Sequence, residues 1–152
     1  MEYTAYYDSP LGTLTLTFVD SALTGLRLSD NLASLEHLNN LDNLDVRRWL
    51  DLYFSGQKPD FIPLITLLGA DFQRRVWQAL LTIPYGQTTT YGELARRVGC
   101  RSAQAVGQAV GRNPIAIIVP CHRVVGSDGS LTGYAYGLER KEYLLKLEAI
   151  GN

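Results

Sequence analysis

The stretch that most constrains the fold runs from Asn113 to Val125, where two prolines bracket five apolar residues directly before a Cys-His pair. Pro114 opens the apolar run and Pro120 closes it, and each proline favours extended backbone at the preceding residue. The pattern predicts a stiff, buried segment that fixes one thiol in a pocket. A cysteine attacks as its thiolate, and a basic neighbour such as His122 lowers the pKa of a thiol. A buried structural cysteine is the alternative, and this segment alone leaves both interpretations open.

Length and composition bound the class of protein. A chain of 152 residues with 46% hydrophobic content is enough for one domain or two small ones with a core. No apolar run reaches the roughly 18 residues of a membrane span, and the amino terminus lacks the pattern of a signal peptide. Two cysteines without secretory features predict a reducing, cytoplasmic location. Two distant histidines and no CxxC pair predict no metal site.

The net charge of −1 hides an asymmetry between the two halves of the chain. Residues 1–70 carry four basic and nine acidic side chains, whereas residues 71–152 carry ten basic and six acidic ones. A basic second half hints at an anionic partner for that half. Chance clustering explains a difference of this size equally well, so charge alone does not indicate DNA.

The first part of the chain has the pattern of a small sheet followed by helices. Strands are predicted over residues 3–8, 13–18 and 23–28, and residues 13–18 alternate strictly between polar and apolar. Helices are predicted over residues 31–40 and 44–54. An extended connection over residues 61–69 then marks a boundary between two predicted domains, 1–68 and 69–152.

Helical patterns dominate the second part. Asp71 is predicted to cap a helix that ends before Pro84, and Thr90 with Glu93 fits a capping box at the start of a short helix. A turn at residues 99–101 leads to a second short helix, capped by Ser102 and ending near Val110. Two short helices with a glycine-containing turn predict a helix-turn-helix, a frequent DNA-docking unit. The second helix is rich in Ala and Gly, which suits close packing against either another helix or a nucleic-acid backbone.

A final helix is predicted from Leu138 to about Ala149. Lys141, Leu145 and Glu148 share one face of it, because their spacings are four and three residues. Two charges on one stripe predict that this face flanks something polar and partly buried. The alternative is a frayed helix end with Glu148 exposed.

These residues together resemble the O6-alkylguanine-DNA alkyltransferase family, also called methylated-DNA–protein-cysteine methyltransferases. The matching segments follow the family's order over nearly the whole chain, and the Pro-Cys-His-Arg-Val segment with an upstream Asn-Pro is highly specific. The segments are Ser9-Pro10-Leu11-Gly12, Phe72-Gln73-Arg74-Arg75-Val76-Trp77, Ile83-Pro84-Tyr85-Gly86, Thr90-Tyr91-Gly92-Glu93-Leu94-Ala95, Ala105-Val106-Gly107, Asn113-Pro114, Pro120-Cys121-His122-Arg123-Val124-Val125 and Gly137-Leu138-Glu139-Arg140-Lys141.

The resemblance implies an α/β (α+β) fold, with a small antiparallel sheet in the amino-terminal domain and a mainly helical carboxyl-terminal domain. It also implies repair of double-stranded DNA that contains O6-alkylguanine, with O4-alkylthymine as a second candidate lesion. The damaged base would flip into a pocket, and the alkyl group would move irreversibly to a cysteine, once per molecule. The resemblance implies no cofactor, no membrane partner and action as a monomer.

Residue roles follow from the same resemblance. Cys121 would be the alkyl acceptor, His122 would activate it through a water, and Glu148 would orient His122. Asn113 would hold the turn that carries the cysteine, and Tyr91 would donate a hydrogen bond to the departing guanine. The remaining implied contacts are, with the substrate, Val124, Tyr134, Ala135, Tyr136 and Lys141 and, with DNA, Arg101, Ser102, Gln104, Ala105, Arg112 and Arg123.

The chain departs from the family pattern at three places. Gln104 stands where the family usually has an arginine that replaces the flipped base, and the turn before it is one residue shorter. Tyr136 stands where the family usually has a glycine in the pocket loop. The first two departures bear on DNA binding and the third on the acceptance of bulky adducts.

Two other classes of function remain open at this point. A non-catalytic binder of alkylated DNA with the same fold is the first, although such relatives lack the cysteine. A cysteine hydrolase is the second, and it would need direct contact between His and thiol together with an oxyanion hole. The extended geometry predicted for the Cys-His pair disfavours that contact, because adjacent side chains on a strand point apart.

Overall fold

The computed structural model describes residues 1–29 and 40–151. The helix predicted over residues 31–40 falls almost entirely outside these ranges. In the described part of the chain, no helix is long and apolar enough to cross a membrane. The chain forms two compact units, the first comprising Met1–Leu67 with Pro114–Ala116 and the second comprising Leu68–Asn113 with Ile117–Asn152. The predicted domains, 1–68 and 69–152, stay a prediction.

The first unit is built on a three-stranded antiparallel sheet in the order β1-β2-β3. Its strands are β1 (Glu2–Ser9), β2 (Gly12–Val19) and β3 (Ala22–Leu28). The strict alternation of β2 buries one face of the sheet, because Leu14, Leu16 and Phe18 are fully enclosed. The three predicted strands are therefore confirmed, each with one or two more residues than the pattern indicated.

Helix α1 (Leu44–Phe54) has the predicted bounds. The Asn43 side chain accepts a hydrogen bond from the Val46 N–H at 3.1 Å, which satisfies one of the open amides at the helix start. Trp49 and Tyr53 stack with ring centroids 5.1 Å apart and are buried, as the apolar side of the helix indicated.

Pro114–Ala116 belongs to the first unit although it lies far along the chain. The Leu26 N–H donates to the Pro114 carbonyl at 2.8 Å, and the Ala116 N–H donates to the Leu26 carbonyl at 3.1 Å. Ile115 thus forms a parallel bridge with Leu26 and is fully buried. The segment that leads to the cysteine is therefore anchored on the edge strand β3 of this unit.

The second unit contains helices α2 (Asp71–Leu80), α3 (Tyr91–Arg97), α4 (Ala103–Gly111) and α5 (Leu138–Gly151). The predicted cap of α2 is wrong, because Ala70 and not Asp71 is its N-cap residue. The Gln73 side chain accepts a hydrogen bond from the Ala70 N–H at 3.1 Å, while the Asp71 carboxylate pairs with Arg74 on the same helix. Gln73 thus satisfies the amide of the N-cap residue itself, whereas an N-cap aspartate was expected to accept from an amide of the first turn.

The predicted helix-turn-helix is confirmed as α3 and α4. Thr90 accepts a hydrogen bond from the Glu93 N–H at 3.1 Å, and Ser102 accepts one from the Ala105 N–H at 3.0 Å. Gly99 lies in the turn with φ of +71°, a conformation that glycine adopts without steric cost. The Glu93 carboxylate pairs with Arg96, so the reciprocal half of the predicted capping box is replaced by an ion pair.

The cysteine segment is buried as predicted but not extended. Ile117 has φ of +72°, and Cys121–Arg123 forms a 3₁₀ turn. The Asn113 side chain donates to the Val119 carbonyl at 2.7 Å and closes the loop between them. The prolines restrict only the residues before them, so the middle of the run is free to turn. The segment ends in β5 (Val124–Val125), which pairs in parallel with β4 (Thr89–Thr90).

Candidate active site

The second unit contains a cavity of about 710 Å³ between α4 and the loop over residues 132–136. Cys121 borders this cavity, which opens to solvent, and is itself 7% exposed, so a buried thiol lies at the cavity wall. Cys100 lies in the turn of the helix-turn-helix, where its sulfur accepts a hydrogen bond from the Ser102 N–H at 3.4 Å. The predicted site residues that line the cavity are Tyr91, Gln104, Asn113, Cys121, Tyr134, Ala135 and Tyr136.

Opposing effects act on the Cys121 thiol. Burial raises its pKa, whereas a hydrogen bond with the Asn113 side chain and the positive charge of Lys141 lower it, and burial dominates. The thiol is therefore protonated in the empty site at neutral pH. A nucleophilic role for this thiol would require a base that removes its proton.

His122 is the buried base beside the cysteine. Its Nε2 lies 2.5 Å from Oε2 of Glu148, and both side chains are fully enclosed. Burial lowers the pKa of His122 against the opposing effect of Glu148, so the imidazole is neutral at pH 7. Because Glu148 is ionised there, the ring proton is on Nε2 and is donated to the carboxylate. The basic atom of His122 is consequently Nδ1.

Glu148 is held by three donors. His122 contacts Oε2, while Oε1 accepts hydrogen bonds from Nε of Arg123 at 2.8 Å and from the Gly86 N–H at 3.2 Å. Burial opposes ionisation, but the hydrogen bond from His122, together with the hydrogen bond and positive charge of Arg123, outweighs it and lowers the pKa of Glu148 to about 2. The prediction of a buried polar face on α5 is thus confirmed, and the alternative of a frayed, exposed Glu148 is excluded.

Arg123 was predicted to contact DNA, and the structure buries it instead. Its Nε binds Glu148, its Nη1 donates to the Ile83 carbonyl at 2.7 Å, and its guanidinium lies over the ring of Tyr85 at 5.7 Å. With 7% exposure it has no free face for a phosphate. The sequence carried no signal for this buried role of Arg123. Ile83 contacts it through a backbone carbonyl, and Gly86 contacts its partner Glu148 through a backbone amide.

Lys141 was predicted to contact the substrate, but its ammonium group holds the cavity loop. It donates to the carbonyls of Val124 at 2.5 Å, Thr132 at 2.7 Å and Gly133 at 3.4 Å. Lys141 and Val124 are buried and are not among the residues that line the cavity. The Val124 carbonyl, predicted to meet the guanine, therefore already accepts a hydrogen bond from Lys141.

Three tyrosines border the same cavity. The Tyr91 hydroxyl donates to the carbonyls of Thr132 at 3.2 Å and Gly133 at 3.3 Å, two groups that Lys141 also contacts. Burial raises the pKa of Tyr91, so its hydroxyl stays a donor. The rings of Tyr134 and Tyr136 meet edge to face with centroids 5.6 Å apart.

The predicted DNA-contacting residues other than Arg123 cluster on and beside α4. Gln104 is exposed at the mouth of the cavity, Ser102 caps the helix, and Ala105 is half-buried. Arg101 and Arg112 are exposed at opposite ends of the helix. These residues lie on or next to one helix, as predicted. All of them are exposed except Ala105, which is half-buried.

Comparison with known proteins decides the family. A profile for the DNA-binding domain of 6-O-methylguanine DNA methyltransferase matches residues 71–150, and one for the ribonuclease-like domain of the same proteins matches residues 2–65. The chain belongs to the 6-O-methylguanine DNA methyltransferase family. A family relative from Mycolicibacterium paratuberculosis, a methylated-DNA–protein-cysteine methyltransferase, is 49% identical over 146 residues, which cover 93% of this chain and 88% of the relative.

Other members of the methyltransferase family extend the match to an archaeon and to solved structures. The Methanosarcina acetivorans methylated-DNA–protein-cysteine methyltransferase is 43% identical and covers 96% of this chain and 97% of its own. The crystal structure of the Mycobacterium tuberculosis O6-methylguanine methyltransferase has a TM-score of 0.86 at 46% identity, covering 98% and 93% of the two chains. Mycobacterium tuberculosis OGT in complex with DNA has a TM-score of 0.86 at 48% identity, covering 96% and 92%.

The ionised Glu148 predicts a specific acid response. Because its folded pKa of about 2 lies below the unfolded value, its contribution is complete above about pH 4.5 and disappears as the pH falls towards 2. Glu148→Gln should therefore lower the free energy of unfolding at pH 7 by roughly 3 kcal/mol, and by progressively less in acid. Urea unfolding of both proteins between pH 7 and pH 3 measures this.

Glu139→Gln is the matched control, because it removes one carboxylate from the exposed side of the same helix. It should change the free energy of unfolding at pH 7 by less than about 0.5 kcal/mol. A deficit for Glu148→Gln that stays constant from pH 7 to pH 3 would contradict the assigned pKa.

Proposed function

We propose that this protein repairs double-stranded DNA by moving the alkyl group of O6-alkylguanine onto Cys121, irreversibly and once per molecule. The observation that carries the proposal is a buried thiol bordering a cavity, next to a buried His122–Glu148 pair, in a chain whose relatives are methylated-DNA–protein-cysteine methyltransferases. We propose further that it acts as a cytoplasmic monomer, with O4-alkylthymine as a second lesion.

The chemical step balances without a cofactor. His122 takes the thiol proton through a water at Nδ1, and the thiolate sulfur attacks the alkyl carbon in line with the bond to O6. The new S–C bond forms as the C–O bond breaks, and the electron pair of that bond returns to the guanine. The guanine then takes up one proton. Because the thioether at Cys121 has no route back to a thiol, the protein is consumed by one reaction.

The cavity suits a flipped base. Its volume of about 710 Å³ is in the range of small-molecule sites, and its walls are mostly apolar with a few polar groups. We infer that the Tyr91 hydroxyl leaves the loop carbonyls and donates to the guanine as negative charge develops there. Lys141 still holds Thr132 and Gly133 when Tyr91 turns away, so the loop keeps its shape.

Binding of the duplex is assigned to α4. The small side chains of this helix allow close approach to a groove, and the amides at its start can meet a phosphate. Arg101 and Arg112 supply positive charge at its two ends. Gln104 has both amide donors and an acceptor, so it can pair with the orphaned base but adds no charge.

The two alternative functions fit less well. A non-catalytic binder of alkylated DNA has no use for the thiol, the neutral buried His122 and the ionised Glu148 that the structure brings together. A cysteine hydrolase would need His122 to contact the thiol directly. The relatives argue against this class, because they are methylated-DNA–protein-cysteine methyltransferases.

The direct test is the mass of the protein after reaction with a duplex that contains O6-methylguanine. We expect a gain of one methyl group per chain, located on Cys121 by peptide mass spectrometry and absent from Cys100. Cys100 is the internal control, because its sulfur lies in the helix-turn-helix turn and not at the cavity. Several turnovers per chain, or a methyl group on Cys100, would contradict the assignment.

Tyr136 predicts selection against bulky adducts. Its ring lines the cavity and packs edge to face on Tyr134. The Tyr136 ring thus occupies space in the cavity that the thiol borders. The parent protein should react slowly with free O6-benzylguanine, and Tyr136→Gly should react at least about tenfold faster because the space is vacated. Both proteins should repair methylated DNA. Rapid inactivation of the parent protein by the free base would refute this role.

A further inference from the structure

The Tyr134 side chain is held in place by the loop before it. Lys141 donates to the carbonyls of Thr132 and Gly133, and Gly133 has φ of +56°, so the chain turns sharply just before Tyr134. On the other side, the Tyr134 ring packs on Tyr136. A ring fixed from both directions places its hydroxyl at a defined point.

That hydroxyl is buried and has no hydrogen-bond partner among the residues the structure describes. Burying an unpaired hydroxyl costs free energy, and native proteins rarely tolerate one without a use. A phenylalanine would form the same cavity wall without this cost. The hydroxyl therefore points to a polar partner that belongs to the working site.

Two groups of the proposed reaction, Cys121 and Glu148, act electrostatically on this hydroxyl, and Cys121 borders the same cavity as Tyr134. Burial raises the pKa of Tyr134 well above its usual range, with further effects from Cys121, Tyr136, Arg140 and Glu148. The phenol consequently keeps its proton at every pH at which the thiol reacts. It can hold a hydrogen bond throughout the reaction without exchanging its own proton.

We propose that the Tyr134 hydroxyl hydrogen-bonds the water that carries the Cys121 proton to His122. The water takes the proton from the sulfur and passes one of its own to Nδ1 of His122. Tyr134 orients the water and ends the step in the protonation state in which it began. Tyr134 is thus a positioning residue of the relay, and the proposal rests on the function proposed above.

The test is the pH dependence of Cys121 alkylation by iodoacetamide in the parent protein and in Tyr134→Phe. Peptide mass spectrometry separates Cys121 from Cys100. The midpoint of the profile should move up by about one pH unit in the variant, and the rate at pH 7 should fall roughly tenfold, since one hydrogen bond is lost. The affinity for methylated duplex should stay within about twofold.

Other polar and charged groups also act on the thiol or contact the His122–Glu148 pair. Asn113, Lys141 and Tyr91 lie near Cys121, and Arg123 lies against Glu148. None of them changes in Tyr134→Phe, so a shifted profile reports the lost hydroxyl. Tyr143→Phe is the matched control, because it removes a hydroxyl from an exposed ring on α5 and should leave the profile in place.

Two results would overturn the proposal. An unchanged alkylation profile in Tyr134→Phe would show that the ring is only a wall. A weaker duplex affinity with an unchanged profile would assign the hydroxyl to DNA. Alkylation by iodoacetamide needs no lesion, so a shifted profile in a protein that accepts no methyl from DNA would refute the proposed function and leave the relay intact.

Discussion

The site depends on one buried carboxylate. Glu148 approaches His122 at 2.5 Å and Arg123 at 2.8 Å, and it also accepts a hydrogen bond from the Gly86 backbone. Burying a carboxylate is costly unless donors surround it, and these three donors keep Glu148 ionised. Through them, α5, the cysteine turn and the segment after α2 are tied to a single point. The contact with Glu148 also holds the proton on Nε2 of His122 and so leaves Nδ1 as the basic nitrogen.

A buried cation on the same helix holds the loop beside the cavity. Lys141 lies on the same face of α5 as Glu148, and its ammonium group binds carbonyls of β5 and of the loop that carries Tyr134. Helix α5 therefore supplies the negative charge of Glu148 to His122 and the positive charge of Lys141 to the loop that carries Tyr134. Burial raises the pKa of Cys121, so in the proposed mechanism the thiol depends on the His122–Glu148 pair for its reactivity.

Much of this arrangement was predictable from the sequence, because it depends on local patterns. Three local patterns predicted the structure correctly. They are the alternation in β2, the helix caps Thr90 and Ser102, and the shared helix face of Lys141 and Glu148. One failure is local, since Ala70 and not Asp71 is the N-cap of α2, and the others concern long-range partners. Ile117 turns with positive φ because Asn113 closes the loop, and Arg123 is buried because a carboxylate 25 residues away needs a donor. No periodicity or cap motif encodes such pairings.

The most direct test of the account is the single-turnover methyl-transfer rate of Glu148→Gln at saturating methylated duplex, with the duplex affinity measured alongside. Glutamine keeps the shape of the side chain but cannot carry the charge that orients His122. With circular dichroism confirming that both proteins are folded, the account predicts a rate at least about tenfold lower and an unchanged affinity. A variant that transfers methyl at the parent rate would contradict it.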